Sequence, residues 1–312
     1  MPQSKPFCPK TPQSLRVTAA APIYSSIMTI KEQKEKIISE LEAISDSPAF
    51  EANEILIYAT DLDRAAILYK QNEQLSKGEI RTVKKCLSKR KKGVPLQYIL
   101  GEWEFYSLPF KVGKGVLIPR ADSELLIDLV LEEISLDGSV NLLDLCSGSG
   151  ALGIAVAKNC RNVRVTLVEK SRKAFSYLKE NAELNNVDVT AVCADIFKWK
   201  PKEPADIVIC NPPYITKNEM QDLQREVKKE PTLALLGGRD GLKFYRYLSQ
   251  NADKLIKDGG KIFLEIGYNQ AEDVSRLLEA NGFEDVEVFK DLGGNDRVVS
   301  AVFNKKKLKG CI

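Results

Sequence analysis

Between positions 141 and 266 the sequence alternates between two kinds of segment. Short apolar runs at 141–145, 163–168, 187–193, 207–210 and 261–266 are separated by stretches whose apolar residues recur at helical spacing. Runs of that length read as strands. Strands that alternate with helices are joined by right-handed crossovers into a mainly parallel sheet, so the expected fold class is α/β. Two more runs, 284–289 and 297–303, flank the turn "DLGGND" and predict a closing hairpin that puts one antiparallel strand into the sheet. In open sheets of this kind ligands bind beyond the carboxyl ends of the strands, so the residues that follow each run carry the functional information.

Upstream, residues 28–92 predict a small helical domain. Ile37, Ile38, Leu41 and Ile44 recur at helical spacing, as do Ile55, Leu56, Ala59 and Leu62, with a break at Asp46, Ser47 and Pro48. A third helix is expected over 77–91. Its end gathers Lys84, Lys85, Lys89, Arg90, Lys91 and Lys92, read as a solvated helix face, with contact to an acidic partner or RNA as the sharper alternative. Residues 93–120 change character: alternating aromatics, with turns at Gly101 and at Gly113 and Gly115, predict a β-hairpin linker. Residues 121–312 then form the α/β domain, closed by "NKKKLKGCI", which reads as a frayed basic tail. Residues 1–27 hold Lys5, Lys10 and Arg16 and no acid. They are expected to be a disordered tail, or an extension ahead of a natural start at Met28, with a transit peptide as the other reading.

Composition removes several chemistries. The 312 residues include no histidine, which excludes a Ser-His-Asp triad, a Cys-His dyad and every zinc site that needs an imidazole; no metal is expected. There are seven cysteines and no Cys-x-x-Cys pair, and Cys193 and Cys210 sit inside apolar runs. That pattern fits buried thiols in a reducing, cytoplasmic compartment rather than a disulfide framework. The net charge of +3 is far from that of a polycation. No apolar run is long enough to cross a bilayer, so no membrane association is expected, and the chain reads as a monomer.

The first run leads into "NLLDLCSGSGALGIAVA", a strand, a turn of small residues and a helix. Gly148, Gly150 and Gly153 spell G-x-G-x-x-G, and Glu169 ends the next strand, where a carboxylate can accept from both hydroxyls of a ribose. Glycine lets the backbone turn sharply and approach a ligand closely. Read literally, this is a dinucleotide fingerprint. The same geometry serves any adenosine-containing cofactor, and two acids favour S-adenosylmethionine over NAD. Asp144 precedes the loop, with Cys146 in the first glycine slot, and can hold an amino-acid ammonium. Asp195 ends the third strand and can meet an adenine amino group. The plainer alternatives are a turn cap for Asp144 and a helix cap for Asp195.

The fourth run ends in "DIVICNPPYI". Pro212 and Pro213 restrict φ and disfavour helix in the residue before each, so the turn is pre-organised. The Asn211 side-chain oxygen and a proline carbonyl make two acceptors at fixed spacing, matched to the two N–H bonds of a planar –NH2 group. Tyr214 offers a flat face to stack on that group and to attract a methyl sulfonium. Such a nitrogen is a poor nucleophile because its lone pair is delocalised. Fixed acceptors favour the positive charge that grows on it during in-line attack on a methyl group, and no histidine base is required. The alternative is a tight Pro-Pro turn capped by Asn211.

The ordered set "DLCSGSG", Glu169, Asp195 and "NPPYI" resembles the amino-methyltransferases of the seven-stranded, Rossmann-like S-adenosylmethionine-dependent class. NPPY is shared with adenine-N6 DNA and guanine-N2 rRNA methyltransferases. The flanking segments "GVPLQYILGEWEFYSLPFKV", "VLIPRADSELL", "EPTLALLGGRDGLKFYR", "GGKIFLEIGYNQ" and "DLGGNDRVV" narrow the resemblance to the PrmC/HemK family of peptide chain release factor glutamine methyltransferases, over residues 28–303. That resemblance implies a seven-stranded methyltransferase sheet behind a helical N-terminal domain. It implies methyl transfer from S-adenosylmethionine, leaving S-adenosylhomocysteine, to the N5 amide of the glutamine in the Gly-Gly-Gln (GGQ) loop of release factors, with no stable nucleic-acid partner. Asn211, which also borders the cofactor, and the Pro212 backbone would hold the glutamine amide, with Pro213 closing the turn and Tyr214 packed on it. Cys146, Ser147, Gly148, Ser149 and Gly150 would pass under the cofactor methionine, Asp144 would face its ammonium, and Glu169 its ribose. Asp195 and Ile196 would border adenine. Cys146 replaces the family's usual glycine, and Ile196 stands where some members have an aromatic. One alternative is a nucleic-acid exocyclic-amine methyltransferase, which must extract its base from a stack and usually carries a basic groove. Another is a non-catalytic module whose helical domain binds translation components.

Overall fold

The structure, a computed structural model, describes residues 28–134 and 138–310. The tail expected over 1–27 lies outside the described residues. Helices α1 (Ile30–Leu41), α2 (Pro48–Thr60), α3 (Arg64–Tyr69) and α4 (Lys77–Lys91) come first. Thr29 and Ser76 form capping boxes with Glu32 and Glu79, which satisfies the first orphan amides of α1 and α4. Pro48 opens α2, where its missing N–H costs nothing, and Asp61, in the left-handed region, ends it. Helix α3 escapes the periodicity because it is one and a half turns long and buries only Ile67. Ile37, Leu41, Ile55, Leu56, Val83 and Leu87 meet in a shared core, each burial contributing about 1.5–3 kcal/mol.

The basic end of α4 is not wholly a solvated face. Arg90 is buried: its Nε and Nη2 donate to the two carboxylate oxygens of Glu51 on α2 at 2.7 and 3.0 Å, and its Nη1 donates to Glu226 at 2.5 Å. Glu226 belongs to the α/β part of the chain, so one guanidinium ties the two parts together. Helix α5 (Leu96–Leu100) follows, and Gly101 at φ 83° stops it. The hairpin is shorter than the 93–120 segment: β1 (Glu102–Phe105) and β2 (Leu108–Lys111) turn at Tyr106 and Ser107, both at positive φ. Such turns normally carry Asn or Gly, so nothing in the sequence marked this one.

A 3₁₀ turn (Ala121–Ser123) leads into α6 (Glu124–Glu133). Then come β3 (Val140–Leu145), α7 (Ala151–Asn159), β4 (Val163–Glu169), α8 (Arg172–Leu184), β5 (Thr190–Cys193) and β6 (Ala205–Cys210). The chain continues through α9 (Thr232–Leu235), α10 (Lys243–Gln250), α11 (Ala252–Leu255), β7 (Ile256–Glu265), α12 (Ala271–Glu279), β8 (Phe283–Lys290), β9 (Asp296–Phe303) and α13 (Lys305–Gly310). The sheet is seven-stranded in the order β5-β4-β3-β6-β7-β9-β8, and β9 is the one reversed strand, lying between β7 and β8. This is the α/β sheet that the alternation predicts. The "NKKKLKGCI" segment is not simply frayed: α13 begins where Asp258 accepts from the Lys305 amide at 2.8 Å.

Side-chain alternation sorts the strands between two cores. Leu143, Leu145, Val208, Cys210, Ile262 and Leu264 face the α10–α12 side. Leu142, Ile207, Ile209 and Phe263 face the α6–α8 side. Asp144 and Glu265 share the period of this second set, which aims two carboxyls at the α6–α8 side. Cys193 is exposed because β5 is the sheet's edge, so only Cys210 of the two strand cysteines is buried. Breaking a buried ion pair by deleting one partner strands the other charge. Arg90→Ala is therefore expected to cost about 3 kcal/mol in chemical denaturation. A loss below about 0.5 kcal/mol, the level of an exposed pair, would contradict the linking role.

Candidate active site

A cavity of about 450 Å³ opens at the carboxyl ends of β3, β4, β5 and β6. Its wall includes Asp144, Cys146, Ser147, Gly148, Ser149, Glu169, Asp195, Ile196, Asn211 and Pro213. The structure thus brings together most residues singled out in the sequence. Gly150, Pro212 and Tyr214 do not line this cavity. Gly150 sits at φ 81° as the N-cap of α7. Pro212 is buried, and Tyr214 is half-buried beside the wall.

The loop after β3 is a chain of backbone constraints. Cys146 adopts φ 61°, the left-handed region that glycine enters freely, at a cost of about 1–2 kcal/mol for a side-chain-bearing residue. Gly148 follows at φ 57°, and its amide donates to Glu169 Oε2 at 2.9 Å. Glu169 Oε1 accepts from the Ser171 amide at 2.5 Å. One carboxylate therefore joins the glycine loop to the start of α8. Gly153 lets α7 approach the sheet: a Cβ there would lie 2.3 Å from Leu167 and 3.0 Å from Asp144.

The acids are held in different electrostatic states. Asp144 is 1% exposed; its Oδ2 accepts from the Gly153 amide at 3.1 Å, and its buried Oδ1 has no hydrogen-bond partner. Burial, with the Glu169 charge adding to it, pushes this carboxyl up to about 8 against the Gly153 bond. Burial also raises Glu169, opposed by the amides of Ser171 and Gly148. Asp195 is more open. Its partial desolvation is outweighed by the Lys170 ammonium at 2.9 Å and the Phe197 amide, which hold it below the ordinary carboxylate range.

The turn after β6 is braced from behind. Asn211 Nδ2 donates to Ser123 Oγ at 3.3 Å, and Ser123 Oγ donates to Glu265 Oε2 at 2.5 Å. No donor among the described residues bonds Asn211 Oδ1, which is left as a free acceptor. Gln270 Nε2 donates to the Tyr214 carbonyl at 3.2 Å. Gly237 and Gly241 pack so closely that a Cβ would lie 2.6 Å from the Pro213 oxygen and 2.4 Å from the Tyr214 oxygen. Glu230 accepts from the Ile118 amide at 3.0 Å and pairs with Arg120, joining the "VLIPR" and "EPTLALL" segments that form facing parts of the wall. Arg297 pairs with Asp291 at 2.9 Å and Asp122 at 3.3 Å, fixing the 3₁₀ turn.

Reading individual residues from the sequence missed Ser123, Glu265, Gln270 and Phe197. The first three stand in the quoted segments, but no periodicity separates a brace from a solvated polar residue. Phe197 lines the cavity next to Ile196, with Lys243 Nζ 4.7 Å from its ring centroid. The aromatic thus sits one position after the one compared with the family.

Because Asp144 is raised, the folded, cofactor-free protein keeps a proton that the unfolded chain has lost between about pH 4 and pH 8, so stability falls as pH rises through that window. Asp144→Asn removes this contribution. Thermal melts of the cofactor-free protein at about pH 5 and pH 9 are expected to show a smaller fall for the variant than for wild type. An equal fall would mean that Asp144 is ordinarily ionised.

Two family models match the chain: the methyltransferase small domain over residues 121–232 and the PrmC N-terminal domain over residues 35–101. The release factor glutamine methyltransferase of Thermodesulfovibrio yellowstonii is 41% identical over 253 residues, 80% of this chain and 90% of that protein. That of Fusobacterium nucleatum is 40% identical over 267 residues, covering 84% and 75%. That of Bacillus subtilis is 35% identical over 261 residues, covering 81% and 91%. A solved methyltransferase from Pyrococcus furiosus aligns with TM-score 0.48 at 21% identity, over 64% of this chain and 91% of that one. On the extent and identity of these relatives, the chain belongs to the release factor glutamine methyltransferase family.

Proposed function

We propose that this protein transfers a methyl group from S-adenosylmethionine to the side-chain amide nitrogen, N5, of the glutamine in the GGQ motif of peptide chain release factors. The observation that carries this reading is the free Asn211 carbonyl, held by Ser123 on the wall of the cavity that also contains the glycine loop. The relatives named release factor glutamine methyltransferase support the same substrate class. That substrate belongs to translation, which favours a cytoplasmic protein. No helix among the described residues is long and apolar enough to cross a membrane.

The residues present fit the cofactor. A buried carboxylate oxygen without a donor, Asp144 Oδ1, suits an ammonium group. Asp144 and the loop 146–150 would hold the cofactor methionine, Glu169 its ribose, and Asp195 and Ile196 its adenine. When bound, the cofactor supplies a methyl group on a sulfonium centre, reactive enough for a weak nucleophile. Asn211 Oδ1 accepts one N–H of the substrate amide; the Pro212 carbonyl, set just behind the cavity wall, is assigned the other as substrate seats against the turn. Both bonds strengthen as positive charge grows on the nitrogen, and two fixed acceptors also orient it. The chain holds no histidine to act as base, so the turn supplies acceptor strength rather than basicity: as the N–CH3 bond forms, the S–CH3 bond would break to leave S-adenosylhomocysteine, and the acidified nitrogen would release its extra proton to water. Tyr214, half-buried at the side of the turn, is left with packing against the substrate rather than the cofactor.

Asn211→Ala is expected to lower kcat by about 100-fold or more while the cofactor Kd changes little. Purified release factor, labelled S-adenosylmethionine and mass mapping of the modified residue give the measurement. Turnover at the wild-type rate by the variant, or label on a residue other than the GGQ glutamine, would contradict the assignment.

A further inference from the structure

Behind Asn211 lies a buried pair that the methyl-transfer scheme does not itself require. Ser123 is 3% and Glu265 2% exposed. Glu265 arrives on β7 with Phe263, facing the α6–α8 side, and Ser123 ends the 3₁₀ turn before α6. A carboxylate can only accept, so Ser123 must give its proton to Glu265. The serine oxygen can then only accept from Asn211, and this fixes which end of the amide turns toward the cavity.

We infer that Ser123 and Glu265 are positioning residues that set the orientation of the Asn211 amide, so that its oxygen rather than its –NH2 faces the substrate nitrogen. The inference rests on the function proposed above and deepens it. An inverted amide would present a donor to a donor, which both weakens binding of the –NH2 group and opposes the charge that develops on it. The polarity of the relay depends on the charge state of Glu265. A protonated Glu265 can donate to Ser123, which frees the serine proton to turn toward Asn211 and demand the carbonyl.

The charged and titratable groups around Glu265 are Arg297 on β9, Asp122 in the 3₁₀ turn, Tyr214 after β6, Cys210 on β6 and Tyr245 on α10, whose hydroxyl donates to the Glu265 carbonyl at 2.8 Å. Burial pushes the Glu265 carboxyl up to about 7, opposed by Ser123, by Arg297 and by the Asn211 side-chain amide, which also reaches it directly. Its ionised form, and with it the productive orientation, is lost as pH falls through that value. Asp144 also titrates near this range, but it faces the cofactor, so its effect falls on cofactor affinity and not on kcat at saturation.

Two measurements test the relay, and the first needs no methyl transfer. With asparagine-selective ¹⁵N labelling, the Asn211 side-chain amide is assigned by its disappearance in Asn211→Ala. Its protons are expected to exchange at least about tenfold faster in Ser123→Ala than in wild type, with Ser123→Thr restoring slow exchange. Equal exchange in wild type and Ser123→Ala would overturn the relay whatever the substrate is. The second is kinetic. Ser123→Ala is expected to lower kcat by about tenfold with little change in cofactor Kd, and to add nothing in an Asn211→Ala background. Wild type is expected to lose kcat on an acid limb near pH 7, and Glu265→Gln to remove that limb. Additive losses, or an acid limb preserved in Glu265→Gln, would also overturn it. Slow Asn211 exchange in a wild-type protein that leaves release factor unmethylated would instead sink the function and leave the relay standing.

Discussion

Leu145 of β3 lies in register with Cys210 of β6, and both strands stop there. The next residues, Cys146 and Asn211, therefore emerge side by side at the carboxyl edge. This is also the switch point of the sheet, where the chain turns from building outward through β4 and β5 to building outward through β7. A crevice forms there because the connections on its two sides run to opposite faces. The register is itself protected. A one-residue slip of β6 would turn Val208 and Cys210 away from the core they fill and bring Ile207 and Ile209 into it, inverting both faces at once. The glycine loop and the Asn-Pro-Pro-Tyr turn meet because of that pairing, not because of their own sequences.

Around this junction the protein concentrates buried carboxyl groups. Glu265, Glu169, Asp144 and Glu230 are all nearly inaccessible to solvent, an expensive arrangement unless each is paired or hydrogen-bonded. Glu230 finds Arg120 and the Ile118 amide; Glu169 finds two loop amides; Glu265 finds Ser123. Asp144 keeps one oxygen without a partner. That exception is where the ammonium of the proposed cofactor would return what folding left unsatisfied. The farther pair, Arg90 with Glu51 and Glu226, extends the same economy of buried charges to the helical part of the chain.

Much of this was legible in the residues. The strand runs at 163–168 and 207–210 fall inside β4 and β6, because a strand covered on both faces leaves a continuous apolar signature. Helix α4 was legible as the third helix expected over 77–91, and its observed bounds agree. The hairpin turn at Tyr106 and Ser107 was not, since it reaches positive φ without the Asn or Gly that usually marks such a turn. Within the site, Asn211 and the glycine loop declared themselves by residue type at a strand end. Ser123 and Glu265 did not, because an isolated serine and an acid inside an apolar run acquire meaning only when β7 and the 3₁₀ turn are brought together. Arg90 was hidden among surface lysines for the same reason: its partners lie far away along the chain, at Glu51 and Glu226.

The measurement that bears most directly on the site is a crystal structure with S-adenosylhomocysteine and a GGQ peptide bound together. The glutamine amide nitrogen should then lie about 3 Å from Asn211 Oδ1, with the cofactor sulfur above the loop at Gly148. An amide nitrogen seated elsewhere, or an Asn211 that presents Nδ2 to it, would contradict the arrangement on which the proposed chemistry depends.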